Sequence, residues 1–443
     1  MAELIPFKGL RYNSNMVKDI SDVITPPYDI ISKAEQDSFY NLSEFNSIRL
    51  ELPKEFEEDN EESNKYTRAG ETLRDWMDRG ILIQDDKDCL YIIQQEYQLS
   101  RNKTHTRTGI IGLVRLEEFD KGIILPHENT LSKPKADRLQ LMQACNANFS
   151  QVFGLYDDTR QVLANPIRDY CDKTKPAVVS SIEKQSEKIR MWVVSDPDFI
   201  RQVKEVLQNN RIYIADGHHR YETALAYRDE QRAKNPNYTG NESYNYVMMT
   251  LVDMADPGLI IMPTHRLVNK IKEFKPQNLI SELNEYFEIE KYDIPDSESP
   301  LRYEIVQKIL DEADPHTFVM YMENNKLLYS LSLKSIDVMK TLLPERDDSY
   351  LSLDVSILHT LILDKHLGIG RKELANQENL EYTHSIKEGI EEIENGNYQI
   401  AFFISPTAIK QIQEVSLANE KMPQKSTYFY PKLITGFVFN KIS

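Results

Sequence analysis

The stretch 211–225, Arg-Ile-Tyr-Ile-Ala-Asp-Gly-His-His-Arg-Tyr-Glu-Thr-Ala-Leu, constrains the chain more tightly than any other. Its first residues are apolar and β-prone, which predicts a short buried strand. Asp216-Gly217 breaks that pattern. From His218 the composition turns helical, with Tyr221, Ala224 and Leu225 on one face and Arg228 and Asp229 outside it. A strand, a tight glycine turn and a helix opening on two imidazoles and a guanidinium form an arrangement suited to an anion. Free N–H groups and the positive helix end point at the turn, and Arg220 can fork onto phosphate oxygens. A lone histidine there would more simply cap a buried loop. Asp-Gly-His-His-Arg together favours a site.

With 443 residues the chain exceeds one typical core, so two or three domains are expected. The net charge of −17 argues against nucleic acid or a membrane surface as a partner, but it allows a local basic pocket for a small anion. The N-terminus lacks a signal layout, and no run reaches the roughly 18 apolar residues of a membrane span. Cys89, Cys145 and Cys171 are odd in number and far apart, giving no CxxC site and no disulfide framework. A cytoplasmic location follows from that.

Along the chain, residues 1–50 read as irregular around the stiff Thr25-Pro26-Pro27-Tyr28-Asp29 segment, which can hold a Tyr and an Asp beside a pocket. A helix is expected over 67–80, then a hairpin of strands 89–99 and 109–119 joined by a polar turn at 100–107. A helix over 134–147 carries Lys133, Lys135 and Arg138 near its start, where cations oppose the dipole unless they face a bound phosphate. Strands at 151–156, 177–182 and 191–194 alternate with helices at 159–170 and 197–208, and a buried strand spans 244–253. A strand at 259–262 runs into Pro263-Thr264-His265-Arg266, a second His-Arg pair. Linker punctuation over 270–300 sets a soft boundary near 270. Beyond it, α/β material includes a helix over 355–363, a loop rich in hydroxyls at Gln424-Lys425-Ser426-Thr427, and a last strand over 435–440. Three regions result: an N-terminal region (1–87), a core with the histidine motif (88–270) and a C-terminal α/β domain completing a cleft (271–443).

The string Ala-Asp-Gly-His-His-Arg-Tyr-Glu-Thr-Ala-Leu, with Pro-Pro-Tyr-Asp, His127-Glu-Asn-Thr130, Lys135-Ala-Asp-Arg-Leu139, residues 149–156, Pro263-Thr-His-Arg266 and residues 422–432, resembles the DUF1015 family in order across nearly the whole chain. The Asp-Gly-His-His-Arg segment in turn resembles the phosphate-contacting motif of the ParB/sulfiredoxin-like superfamily, which includes partition proteins, sulfiredoxins and free serine kinases. The resemblance implies a mixed α/β fold with a ParB/sulfiredoxin-like nucleotide-binding core. His218 stands where sulfiredoxins carry their catalytic Cys, which argues against sulfinic acid reduction. No basic DNA-binding region is evident, which argues against partition.

What the resemblance implies is a kinase that phosphorylates a small hydroxylated metabolite, free L-serine first, with Mg²⁺ and ATP or ADP. Phosphoryl transfer needs held phosphates, cations and a base. Gly217, His218, His219 and Arg220 would hold the nucleotide phosphates, with Arg138, Thr264, His265, Arg266, Lys425, Ser426 and Thr427 completing the pocket. Asp216 is the candidate Mg²⁺ ligand, and Glu128 the candidate general base, with His218, His219 and Asp216 also counted in the catalytic set. A homodimer is compatible with these features. Two rivals stand beside this reading. One is a ParB-like nucleotide-binding regulatory module without turnover. The other is a metallohydrolase built on His127, Glu128, His218, His219 and His265, which lacks HExxH or equivalent spacing.

Overall fold

The computed structural model describes residues 1–100, 103–130, 132–182, 186–292, 302–322, 327–370, 373 and 379–442. Residues 101–102 of the expected hairpin turn, 293–300 of the expected linker, and Leu301 and Lys326 lie outside that set. The fold is mixed α/β. The chain divides into two compact units: Met1–Pro126, Thr130–Ile260 and Pro431–Ser443 in the first, His127–Asn129 and Ile261–Tyr430 in the second.

Among the described residues, the first unit is built on a nine-stranded sheet. Its path runs Ile124–Leu125, Ile212–Asp216, Val152–Tyr156, Tyr246–Asp253, Lys103–Arg115, Leu90–Ser100, Glu187–Val194, Val178–Ile182, with Leu4–Ile5 added beside Lys103–Arg115. Tyr246–Asp253 is buried along nearly its whole length because both sheet faces are covered. On one face Val247, Met249 and Leu251 pack with Phe199, Val203, Tyr221 and Leu225 from helices Pro197–Gln208 and His218–Lys234. On the other, Tyr246 and Met248 meet Ile434, Phe437 and Val438. Closeness between the strands needs a glycine: a Cβ on Gly154 would lie 2.8 Å from both Ile212 Cγ2 and Leu251 Cδ2.

The second unit carries a six-stranded antiparallel sheet among its described residues, in the order Phe287–Tyr292, Leu328–Leu333, Thr317–Met322, Ile400–Phe403, His265–Val268, Leu380–Thr383. Leu267, Val319, Tyr321 and Phe403 pack there with Val306, Ile390 and Ile393 of helices Arg302–Glu312 and Ile386–Glu394.

Several local expectations are corrected. Residues 1–50 hold a helix, Lys33–Leu42, fixed by a capping box in which Ser32 Oγ accepts from Glu35 N (3.3 Å) and Glu35 Oε2 accepts from Ser32 N (2.8 Å). The polar stretch 103–107 is strand rather than turn, because its alternating threonines suit an extended pair. The strand expected at 259–262 is present as Ile260–Met262, and His265 and Arg266, just past it, themselves open a second strand, His265–Val268, paired on both sides. The expected helix 355–363 is one α turn, Asp354–Ile357, that widens into a π-helix, Leu358–Asp364. The expected last strand 435–440 is broken into isolated bridges, Thr435 to Thr25 and Phe439 to Leu10, before the short pair Asn440–Lys441 with Ala147–Asn148.

Candidate functional site

The motif strand Ile212–Asp216 runs antiparallel to Val152–Tyr156, with a bulge between Ile214 and Asp216 that re-aims the last residue. Gly217 then takes φ +87°, ψ 28°, a left-handed conformation natural to glycine, and a Cβ there would press to 2.9 Å from Arg220 Nε. The helix His218–Lys234 starts at once, and its N-cap, being glycine, has no side chain with which to cap the first turn. The turn therefore sits at the positive end of a 17-residue helix.

Asp216 accepts from the Gly217 amide (2.8 Å) and from Lys432 Nζ (3.1 Å), and Arg220 Nη2 lies 3.6 Å away. Burial alone would raise its pKa, but Lys432 and Arg220 outweigh burial and hold the carboxyl well below the usual range. Arg220 is itself buried and donates to the Gln151 carbonyl. Lys432 is steadied through its carbonyl, which accepts from Gln95 Nε2 (3.0 Å). Gln95 in turn accepts from Arg107, a fully buried guanidinium lying 4.8 Å over the Phe153 ring. Two buried donors, Arg107 Nη1 and Gln151 Nε2, have no protein partner. Sequence reasoning missed Gln95, Arg107, Gln151 and Lys432; only their alternation on strands, or their nearness in space, could have marked them.

Arg138 and Arg220 meet across a cavity of about 40 Å³ that Glu51, Asn148, Ser150 and Thr223 also line, room for a few waters at most. Arg138 chelates Asp137 (3.0 and 2.6 Å), donates to the Glu51 carbonyl (2.6 Å) and lies 4.1 Å over the Tyr28 ring. Its charge is thus committed to holding the Pro-Pro-Tyr-Asp segment rather than offered to a ligand. Arg228, expected outside the packed face, is buried and bonded to Glu118, Asp229 and the Leu116 carbonyl. His218 is buried and His219 half-buried. Burial lowers the His219 pKa against the opposing pull of Glu222 and Asp29, so its ring is neutral at pH 7. Glu222 accepts from Lys135 Nζ and Thr130 Oγ1, both at 2.6 Å.

The other expected residues lie in the second unit. Glu128 bridges to Met422 and acts electrostatically on Arg266 and Tyr382. Thr264, His265 and Arg266 are buried to 2% exposure or less. Burial drives the His265 pKa down to about 3 and that of Arg266 down to about 10. His265 Nδ1 accepts from the Ile404 amide (3.3 Å), and Arg266 donates to the Thr264 and Lys425 carbonyls. These three are interior strand-end residues with no surface to offer a phosphate. Ser426 Oγ is spent on the Pro423 carbonyl (2.5 Å), and Thr427 Oγ1 on His127 Nε2 (3.0 Å). Lys425 is exposed, at φ +58°.

As a Mg²⁺ ligand Asp216 does not fit. Two cations and an amide already hold its oxygens, and a metal ion would have to displace them. Among the described residues no three His, Cys, Asp or Glu side chains gather as a metal-ion set.

The chain belongs to the DUF1015 family: the family described as "Protein of unknown function (DUF1015)" matches residues 4–356. No curated protein matches the chain. Among solved structures it is similar to a free serine kinase in complex with AMP, at 11% identity over 72% of this chain and 86% of that one, TM-score 0.33. It is also similar to a mutant free serine kinase in complex with ADP (10%, 72% and 87%, TM-score 0.35). A third is SbnI with a C-terminal truncation from Staphylococcus aureus (9%, 75% and 87%, TM-score 0.33). Likenesses this remote leave ligand and reaction to be argued from the chain's own residues. Among the described residues no helix is long and apolar enough to cross a membrane.

Glu187 supplies a pH signature for the buried network. It is 5% exposed, one carboxylate oxygen lacks a partner among the described residues, and burial pushes its pKa up to about 7 against the pull of Arg107 and Gln95. A raised carboxyl favours the folded state while protonated. Its contribution is full below the unfolded-state value of about 4.3 and is lost as pH rises through 7. Urea midpoints measured from pH 4.5 to 8 should therefore fall for this reason in the native protein, and Glu187→Gln should flatten that slope. An unchanged slope in the variant would assign the pH dependence elsewhere.

Proposed function

We propose that this protein is a nucleotide-dependent phosphotransferase acting on a small hydroxylated metabolite, with free L-serine as the first candidate acceptor. The observation that carries the reading is the left-handed Gly217 turn, which starts a 17-residue helix directly after a bulged strand and so brings the helix's positive end to the turn. Oriented N–H groups at a long helix's positive end bind a phosphate without a salt bridge. The short-motif resemblance of Asp-Gly-His-His-Arg to phosphate-contacting segments supports the same placement.

In this reading the nucleotide phosphates lie against Gly217, His218 and His219. The neutral His219 ring donates a hydrogen bond where a fixed charge would hold product too long. Arg220 and Lys432 act through Asp216: their combined positive charge exceeds that of the single carboxylate and leaves the turn electropositive. Glu128 is the proposed general base, taking the acceptor hydroxyl proton as that oxygen bonds to the terminal phosphorus and the bridging P–O bond breaks, releasing the nucleotide one phosphate shorter.

Purified protein incubated with ATP or ADP and L-serine should yield O-phosphoserine by mass spectrometry. Nucleotide binding with no phosphorylated product from any small hydroxylated acceptor would instead favour a regulatory module of the ParB-like kind. Glu128→Gln should lower kcat by roughly 100-fold or more, as loss of a general base does, and leave the Kd for nucleotide unchanged. Equal losses in both would make Glu128 a binding residue.

A further inference from the structure

The second unit contains a cavity of about 340 Å³, at the lower end of the range of roughly 300–1,000 Å³ typical of small-molecule sites. One wall is the π-helix Leu358–Asp364, which contributes His359, Thr360 and Asp364; residues 421–424 and Arg346, Tyr350 and Tyr382 form others. A π-helical segment costs hydrogen-bond geometry and recurs at functional sites, so its place in this wall calls for a reason. Ten residues of the lining lie beyond residue 356, where the family match ends.

His359 supplies the independent observation. It is 9% exposed, it lines the cavity, and its Nε2 has no hydrogen-bond partner among the described residues. Burial and the nearby Arg266 push its pKa well down, so the ring is a neutral imidazole. A buried polar nitrogen left without a partner carries an unrepaid desolvation cost, which a ligand or water in the cavity would relieve.

The lining carries both signs of charge. Asp364 Oδ1 lies 3.0 Å from where a Cβ on Gly370 would stand, and Glu373 Oε2 accepts from the Gly370 amide at 3.1 Å, so two carboxylates flank this residue. Arg346 and Lys421 bring cations; Arg346 pairs with Glu420 (2.6 Å) and lies 4.6 Å over the Tyr350 ring, which fixes its direction. A polyanion would face the carboxylates unpaired, and an apolar ligand would leave His359 and Thr360 unsatisfied. We propose that this cavity is a binding site for a free α-amino acid. Asp364 receives its ammonium group, Lys421 and Arg346 attract its carboxylate, and His359 and Thr360 hydrogen-bond its side chain. The proposal goes beyond phosphoryl transfer and stands without it, since it requires neither nucleotide nor turnover.

The test is isothermal titration of the full chain, free of nucleotide, with each of the common L-amino acids in turn. At least one should bind saturably with a stoichiometry of one. Its binding should weaken roughly tenfold or more in Asp364→Asn, and likewise in Lys421→Gln, as expected for losing a charge-assisted contact. Both positions lie at the surface or half-buried, and thermal melts of the variants should match the native protein. The same amino acid lacking its carboxylate, or lacking its ammonium, should bind more weakly than the zwitterion. Absence of binding by every amino acid would overturn the proposal, and so would binding that survives both substitutions.

Discussion

A half-buried carboxylate held by two cations organises the first unit's chemistry. Asp216 closes the motif strand, fixes the Gly217 amide and gathers Lys432 and Arg220 from far apart in sequence. Removing either cation leaves the carboxylate with one partner in a setting that disfavours charge, which would raise its pKa and loosen the turn. Lys432 reaches Asp216 from the C-terminal segment that also covers one sheet face, so packing and electrostatics secure the same 431–443 stretch. The carboxylate thus acts as a keystone, and the amides just after it are what a ligand would meet.

This distribution of charge separates residues that hold the site from residues that can use it. Arg138, Arg220 and Arg228 are the obvious phosphate binders by composition, yet each guanidinium is buried and bonded within the protein. A buried arginine keeps its full charge and a fixed direction, which shapes the field at the turn without offering free donors. In the proposed reading a ligand meets the positive end of the motif helix and the half-buried His219 ring. Binding by amides fits an acidic chain of net charge −17, because it needs no exposed basic patch.

Local features were legible in the sequence where the signal was local. The strand, glycine turn and helix at 212–234 follow from β-prone residues, an Asp-Gly break and a helical run, and all three appear where expected. Gly80 takes φ +67° just past the helix Lys65–Asp78, as a terminating glycine should. Helix Lys33–Leu42 went unread although Ser32-x-x-Glu35 is a capping signature, since the neighbouring prolines dominated that region. The π-helix could not be read, because its apolar spacing matches an α-helix over so short a span. Long-range partners were out of reach altogether: Lys432 and Asp216 are 216 residues apart, and nothing in either neighbourhood names the other. Likewise Thr264-His265-Arg266 looks like a ligand motif by residue type, and only burial reveals it as interior structure.

Hydrogen exchange at the amides of Gly217, His218 and His219, with and without ADP, tests the central claim most directly. The account predicts protection of His218 and His219 by ADP and none by adenosine, which has the same base and sugar but no phosphate. Equal protection by adenosine, or ADP protection confined to other segments, would contradict phosphate binding at this turn.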